Sequence, residues 1–252
     1  LKATDGSEHW TAQTFESITG APASDGVRIV VGTQASNAHA LDASTGAEVW
    51  KASVGGPVTR SVTIADGMAF FGVAGEVVTL AVADGAPGWR TKIAASGSVA
   101  TPTVADGTVF DATGLDVDDP ALRGMSTVDA KTGTAGWRYV SPTKAQLYSP
   151  SVDGALAFVV GHDKKIVALD TKTGKTVWDE DRSFEIEAAA MVTGVLYVLG
   201  NDGPVEALDA KTGTSLWSVP INAGVPFAPA VVDGYVVFGT DAGILYAVGA
   251  AG

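Results

Sequence analysis

The 252-residue chain is 46% hydrophobic and 17% charged, a globular composition without low-complexity tracts. Its formal net charge of −12 repels phosphate backbones and anionic lipid, so nucleic acid is not an expected partner. No apolar run nears the ~18 residues of a membrane span, so no direct membrane insertion is expected, and the absence of cysteine excludes disulfides, thiolate metal sites and cysteine nucleophiles. The chain opens at Leu1 without a signal peptide, as a mature or excised domain would.

Taken in chain order, one phrase returns six times and ends each time on tryptophan. It reads LKATDGSEHW to Trp10, LDASTGAEVW to Trp50, LAVADGAPGW to Trp89, VDAKTGTAGW to Trp137, LDTKTGKTVW to Trp178 and LDAKTGTSLW to Trp217. Glycine stands four residues before every tryptophan, with Thr or Asp just ahead of it, and the tryptophans are 40, 39, 48, 41 and 39 residues apart. Between them lies a second phrase of two apolar runs around a turn, as in SVTIADGMAFFGV (61–73), SPSVDGALAFVVG (149–161) and APAVVDGYVVFGT (228–240). Each unit therefore predicts four short strands, A to D. Gly supplies the positive φ of the A–B and C–D hairpins, and Asp or Thr bonds the backbone of its own turn.

Four strands at a period near 40 residues predict a β-propeller. The expected fold is all-β: one propeller domain over 1–252, with six four-stranded blades. The last unit stops at Gly252, where a strand D is due, and the chain resumes near that point of the repeat at Leu1. The ring is thus expected to close by pairing of Glu8–Ala12 with the blade formed by 225–249, removing exposed sheet edges. Trp10, Trp50, Trp89, Trp137, Trp178 and Trp217 read as structural: each is expected to bury its ring against the neighbouring blade while its N–H finds an acceptor.

The phrase A-L-D-A-x-T-G-x-x-x-W, with S-P-x-V-x-x-G-x-V before it, resembles the PQQ-like repeat family. It is most faithful at 40–50, 168–178 and 207–217. The resemblance implies a propeller and points to BamB-like outer-membrane assembly scaffolds, extracytoplasmic domains of bacterial Ser/Thr kinases, and quinoprotein dehydrogenases. The dehydrogenase site does not carry over. Many of those enzymes place vicinal cysteines beside the quinone, and no Glu/Asn/Asp calcium set can be assigned here. The BamB-like members look eight-bladed, whereas this chain has material for six.

In an up-and-down blade the A–B and C–D turns share one face of the disc, and the B–C turns and D–A crossings share the other. The first set is nearly invariant from unit to unit, as turn chemistry requires. The second varies, as binding loops do. At the start of strand A, equivalent positions hold Gly20, Arg60, Ala100, Tyr148, Glu187 and Phe227. Such broken symmetry suits a ligand or partner site, although drift at a solvated rim leaves the same diversity, and Glu187 paired with Arg60 would account for both charges structurally. His162, in a B–C turn, also reaches this mouth. His9 and His39 lie elsewhere in the repeat, so the three histidines form no metal set. Asp116, Asp118 and Asp119, in the insertion of 112–125, are a weak calcium candidate without an EF-hand pattern, and a solvated loop is the better reading of them.

No nucleophile elbow, H-E-x-x-H or phosphate loop occurs. The expected function is a non-catalytic binding or scaffolding propeller, an extracytoplasmic domain of a bacterial envelope protein or receptor kinase. It is expected to act as a monomer without cofactor, meeting a protein, a peptide or a small ligand at the channel mouth. The rival expectation is a quinone- or metal-dependent enzyme with its site at that mouth.

Overall fold

The structure is a computed structural model that describes residues 4–94, 98–115, 123–201, 203–221, 224, 229–232 and 235–249. The described residues contain strands only, arranged as six antiparallel sheets in sequence order. The first holds β1 (Ala23–Ser24), β2 (Arg28–Gly32), β3 (Asn37–Asp42) and β4 (Glu48–Ser53); the second holds β5 (Thr63–Ala65), β6 (Met68–Val73), β7 (Glu76–Ala81) and β8 (Pro87–Lys92). The third holds β9 (Ser98–Val99), β10 (Thr103–Ala105), β11 (Thr108–Leu115), β12 (Gly124–Asp129) and β13 (Ala135–Val140), with the short β9 pairing to β11 beyond β10. The fourth holds β14 (Ser151–Asp153), β15 (Leu156–Val160), β16 (Lys165–Asp170) and β17 (Thr176–Asp181). The fifth holds β18 (Ile186–Val192), β19 (Val195–Gly200), β20 (Pro204–Asp209) and β21 (Ser215–Pro220), and the sixth holds β22 (Ala230–Val232), β23 (Tyr235–Gly239) and β24 (Leu245–Gly249). The chain thus has the blade meander of a propeller.

Local chemistry explains the hairpins. In the second sheet Asp66 and Gly67 both adopt positive φ, at 47° and 75°, and in the third Asp106 and Gly107 do the same, at 47° and 71°. That pair of angles matches a two-residue turn whose twist agrees with the strands it joins. Just ahead of the tryptophan the register between the third and fourth strands slips in each of the first five sheets. The slip is a bulge, which sharpens the local twist.

No sheet keeps a core to itself. Among the described residues each apolar cluster straddles two successive sheets: Val30, Val54 and Trp50 meet Phe71 and Leu80, and Phe70 and Val77 meet Val109 and Val128. Phe110 and Met125 then meet Val159 and Leu169, Phe158 and Ile166 meet Leu196 and Leu208, and Leu199 meets Val236 and Phe238. First strands also adjoin from sheet to sheet. The hydroxyl of Thr103 donates to the Pro150 carbonyl (2.7 Å), and that of Ser151 to the Ala189 carbonyl (3.1 Å).

The tryptophans lock the outer strands. Five indole N–H groups each donate to a carbonyl at the end of the next sheet's third strand: Trp10 to Ala43, Trp50 to Val82, Trp89 to Ala130, Trp137 to Thr171 and Trp178 to Ala210, at 2.9–3.0 Å. The same ring lies on the glycine of that sheet's C–D turn. A Cβ on Gly46, Gly85, Gly133, Gly174 or Gly213 would come within 3.0 Å of it. These glycines answer two demands at once, a φ near +70° and an empty place for an indole. Of the six rings only Trp50 is fully buried, at 9% exposure; the others are half-buried, because the outer strand carries one face of the ring against the turn and leaves its rim to solvent.

Closure by strand pairing, expected for Glu8–Ala12, does not appear. Residues 8–12 are described and lie in no strand, and the sixth sheet has three strands among the described residues. This polar, largely exposed segment is tied to the first sheet instead, through the indole of Trp10 and the carboxylate of Glu16.

One residue breaks the apolar pattern. Asp111 on β11 is wholly buried where the equivalent strand positions hold Val31, Phe71, Val159, Val198 and Phe238, and neither carboxylate oxygen has a hydrogen-bond partner. It shares a strand face with Val109, which packs on Phe70 and Val77 of the preceding sheet. Burial raises its carboxyl well above the ordinary range.

Two measurements check this packing. Gly67 and Gly85 share a φ of +75° and +73°, but only Gly85 has an indole over it. Alanine at either costs the left-handed strain of ~1–2 kcal/mol; at Gly85 displacement of Trp50 adds ~1–3 kcal/mol, which denaturant unfolding will resolve. Asp111→Val should stabilise the protein by ~1–3 kcal/mol at neutral pH. A raised folded pKa means that ionisation opposes folding as pH climbs above the ordinary carboxyl value of 3.8, so the gain should shrink as the medium is acidified toward it.

Candidate functional site

The D–A crossings bring the starts of successive inner strands together. One residue past the variable position, three units carry a hydroxyl: Ser61, Thr101 and Ser149. Each accepts an amide N–H from the preceding unit. Ala21 N–H donates to Ser61 Oγ (3.0 Å), Ser61 N–H to Thr101 Oγ1 (3.2 Å) and Thr101 N–H to Ser149 Oγ (3.1 Å). The series ends at Ala188, which has no hydroxyl to offer. Among the described residues none of the three hydroxyls donates its own proton to an acceptor.

This series edges a cavity of about 180 Å³, lined by Thr19 and Gly20, Thr59 to Ser61, Ala100 and Thr101, and Leu147 to Ser149. Four of the variable positions, Gly20, Arg60, Ala100 and Tyr148, therefore share one hollow. Gly20 is small for a packing reason, since a Cβ there would run into the Arg60 carbonyl. Arg60 lines the hollow, its Nε is buried without an acceptor, and it forms no ion pair among the described residues. The alternative in which Glu187 neutralises Arg60 is not what the structure contains. Glu187 instead accepts the Tyr148 hydroxyl at Oε2 (2.9 Å).

Tyr148 is the hub of the neighbouring cluster. Its hydroxyl also meets His162 Nε2 at 2.9 Å, and the two rings lie 5.4 Å apart and tilted by 31°. Burial first, then the Glu187 hydrogen bond, drive the phenol far above its ordinary value, so it stays a donor at any physiological pH. Arg60, Tyr148, His162 and Glu187 thus fall in one neighbourhood, while Phe227 and the acidic loop residues Asp116, Asp118 and Asp119 lie outside the described residues. The hydroxyl row was missed in the sequence. Its signal was the S-P of the repeat, legible as turn chemistry but not as a lining.

A larger groove of about 860 Å³ opens on the opposite face between the third and fourth sheets, floored by Phe110, Val128, Trp137 and Val152. Part of its polar rim is bonded within the repeat: Asp129 accepts from Thr132, Thr132 meets Thr134, and the Trp137 N–H is on Thr171, while Asp106 and Lys172 also line it.

Several other cations toward the mouth face are engaged. Arg90 meets Glu76 and the Val54 carbonyl, Arg182 meets Glu206, and Lys165 meets Asp179 and Asp181. The densest knot surrounds Glu16, 14% exposed, whose carboxylate accepts from Thr33 (2.6 Å), Asn37 (3.0 Å) and Lys51, and touches His39 Nε2 (3.1 Å). The other ring nitrogen of His39 faces Glu48 (2.7 Å), so the two carboxylates approach opposite nitrogens and the three groups share no point where a cation could sit. No cluster of three His, Asp or Glu suited to a metal occurs among the described residues.

Comparison with known proteins places this geometry. The family model described as "Outer membrane protein assembly factor BamB" matches residues 1–74, 70–151 and 125–252. No curated protein matches the chain. Among solved structures, the computationally designed Ika8 protein superposes with a TM-score of 0.77 at 15% identity, over 93% of this chain and 71% of that one. BamB from Moraxella catarrhalis superposes with a TM-score of 0.62 at 17% identity, over 95% of this chain and 85% of that one. At such identities the likeness is one of fold.

The Glu16 knot makes an acid-stability prediction. The Lys51 hydrogen bond above all, with Thr33 and His39, holds its carboxyl down to about 2 from 4.5. A carboxyl that ionises more readily in the folded state stabilises it fully above pH 4.5, and that contribution fades as pH falls toward about 2. Glu16→Gln should therefore lower the urea midpoint near neutrality and converge on the parent protein in acid.

Proposed function

Because the chain belongs to the PQQ-like repeat family, we propose that it is a non-catalytic scaffold that binds a protein partner outside the cytoplasm of a bacterium. The observation that carries the reading is the contrast between the two faces. On one, the turns repeat and satisfy themselves. On the other, equivalent positions hold Arg60, Tyr148 and Glu187, joined by His162, around a hollow with unspent donors. Rigid aromatic rings and an arginine fork are favoured anchors for a partner. The matching family model, described by its role in outer membrane assembly, supports a partner in the cell envelope over the receptor-kinase setting.

The scaffold works as a closed six-bladed ring and as a monomer without cofactor. Trp10 occupies on the first sheet the berth that Trp50 occupies on the second, which supports the segment around it as the outer edge of the sixth blade. No observation favours the rival enzymatic reading, since Tyr148, His162 and Glu187 beside the hollow are engaged with one another.

Photocrosslinking in the native host tests the face. A crosslinking residue at Thr59 or Lys144, on the D–A crossings, should capture a discrete envelope partner, while one at Asp84 or Lys172, on the repeated turns, should not. Capture from the turn positions alone would place the interaction on the wrong side of the disc.

A further inference from the structure

We infer that the 180 Å³ hollow at the mouth is a receptor for a single carboxylate presented by a bound peptide. Its walls hold donors and no carboxylate. Arg60 brings a guanidinium whose buried Nε lacks an acceptor, and Ser61, Thr101 and Ser149 each bring a hydroxyl that already accepts an amide N–H. With its lone-pair role filled in that way, each hydroxyl keeps its proton to give, and an anion is the ligand that uses such a proton best. The other buried guanidinium nitrogens lack this setting: Arg123 donates from Nη1 to the Lys144 carbonyl, and Arg28 lies by the Asp25 turn. Glu187, the acidic member of the ring, is not part of the lining, and its Oε2 takes the Tyr148 hydroxyl.

Size and charge narrow the ligand. A hollow of about 180 Å³ suits one residue's carboxylate with its nearest atoms. One guanidinium in a protein of net charge −12 can balance a monoanion but not a doubly charged phosphate. Arg60 offers a planar fork that takes both carboxylate oxygens, and the three hydroxyls, held in a row by backbone amides, are already oriented before the ligand arrives.

This inference rests on the mouth being the interaction face, yet it has its own test. Purified protein labelled with nitrogen-15 is titrated with a tripeptide bearing a free C-terminus, with its C-terminal amide, with an amidated peptide carrying one glutamate, and with inorganic phosphate. The free-acid tripeptide should give saturable shifts at Arg60, Ser61 and Thr101, and the plain amide none. Saturation by the amidated glutamate peptide instead would assign the carboxylate to a side chain, and saturation by both carboxylates would assign it to either source. Arg60→Gln should weaken binding at least tenfold, Arg60→Lys less, and Thr101→Val severalfold, the last with a modest fall in melting temperature because the Ser61 amide loses its acceptor. Phosphate binding more tightly than both carboxylates, no saturable shift with either of them, or unaltered affinity in Arg60→Gln and Thr101→Val would each overturn the assignment. Crosslinks that fail at Thr59 while the tripeptide still binds would sink the scaffold face and leave the carboxylate hollow standing.

Discussion

Everything in this molecule hangs on an indole laid over a glycine. A four-stranded sheet of this size has two apolar faces and no means of covering either, so its stability is borrowed from neighbours. The tryptophan at the end of one unit reaches the turn of the next, where a glycine without a side chain leaves the space and a strand-end carbonyl accepts the N–H. The contact is apolar and directional together, which fixes both the distance and the rotation between blades. Within its own sheet the same ring meets an aromatic of the second strand, as Trp89 meets Phe70 at 6.0 Å and Trp137 meets Phe110 at 6.1 Å, both edge-on. The berth thereby couples the outer rim to the core between blades.

With that spacing held, the inner edge needs little apolar surface. Thr103 and Ser151 stitch first strand to first strand, and Ser61, Thr101 and Ser149 do the same one step nearer the mouth. Repetition of backbone therefore coexists with freedom of side chain at the rim. The variable ring can hold a glycine where a carbonyl presses close, an arginine where a hollow opens and a tyrosine where a carboxylate needs a donor, without disturbing the blades that present them. Asp111 shows the opposite case, a charge-bearing side chain inserted in the repeated core, where it has nothing to bond.

The repeat, the strand content and the tryptophan berths were legible because a fixed spacing of Gly and Trp has one economical explanation. Arg60, Tyr148 and His162 were legible as neighbours because equivalent positions in a ring must converge. Their bonding was not. Whether Glu187 would choose Arg60 or Tyr148 depends on ångström-scale placement of crossings whose lengths vary, and no periodicity encodes that. The Glu16 knot was invisible for a similar reason: it joins an irregular segment to residues 17, 21, 23 and 35 positions away. The strand pairing expected at closure was not legible, since matching phase between the two chain ends states where a strand belongs but supplies no hydrogen bonds to hold it there.

The berth between blades has a consequence for how such a chain can change over generations. Because Trp10, Trp50, Trp89, Trp137 and Trp178 each fill the next sheet's turn in the same way, these junctions are chemically alike. A gene that gains or loses one whole unit creates no unmatched surface, so the number of blades is cheap to alter and says little about purpose. The mouth is different. Its Arg60, Tyr148 and three hydroxyls come from particular units in a particular order, so an added or deleted copy would scatter them. Heredity in this architecture is therefore divided, with the frame open to duplication and the recognition surface intolerant of it.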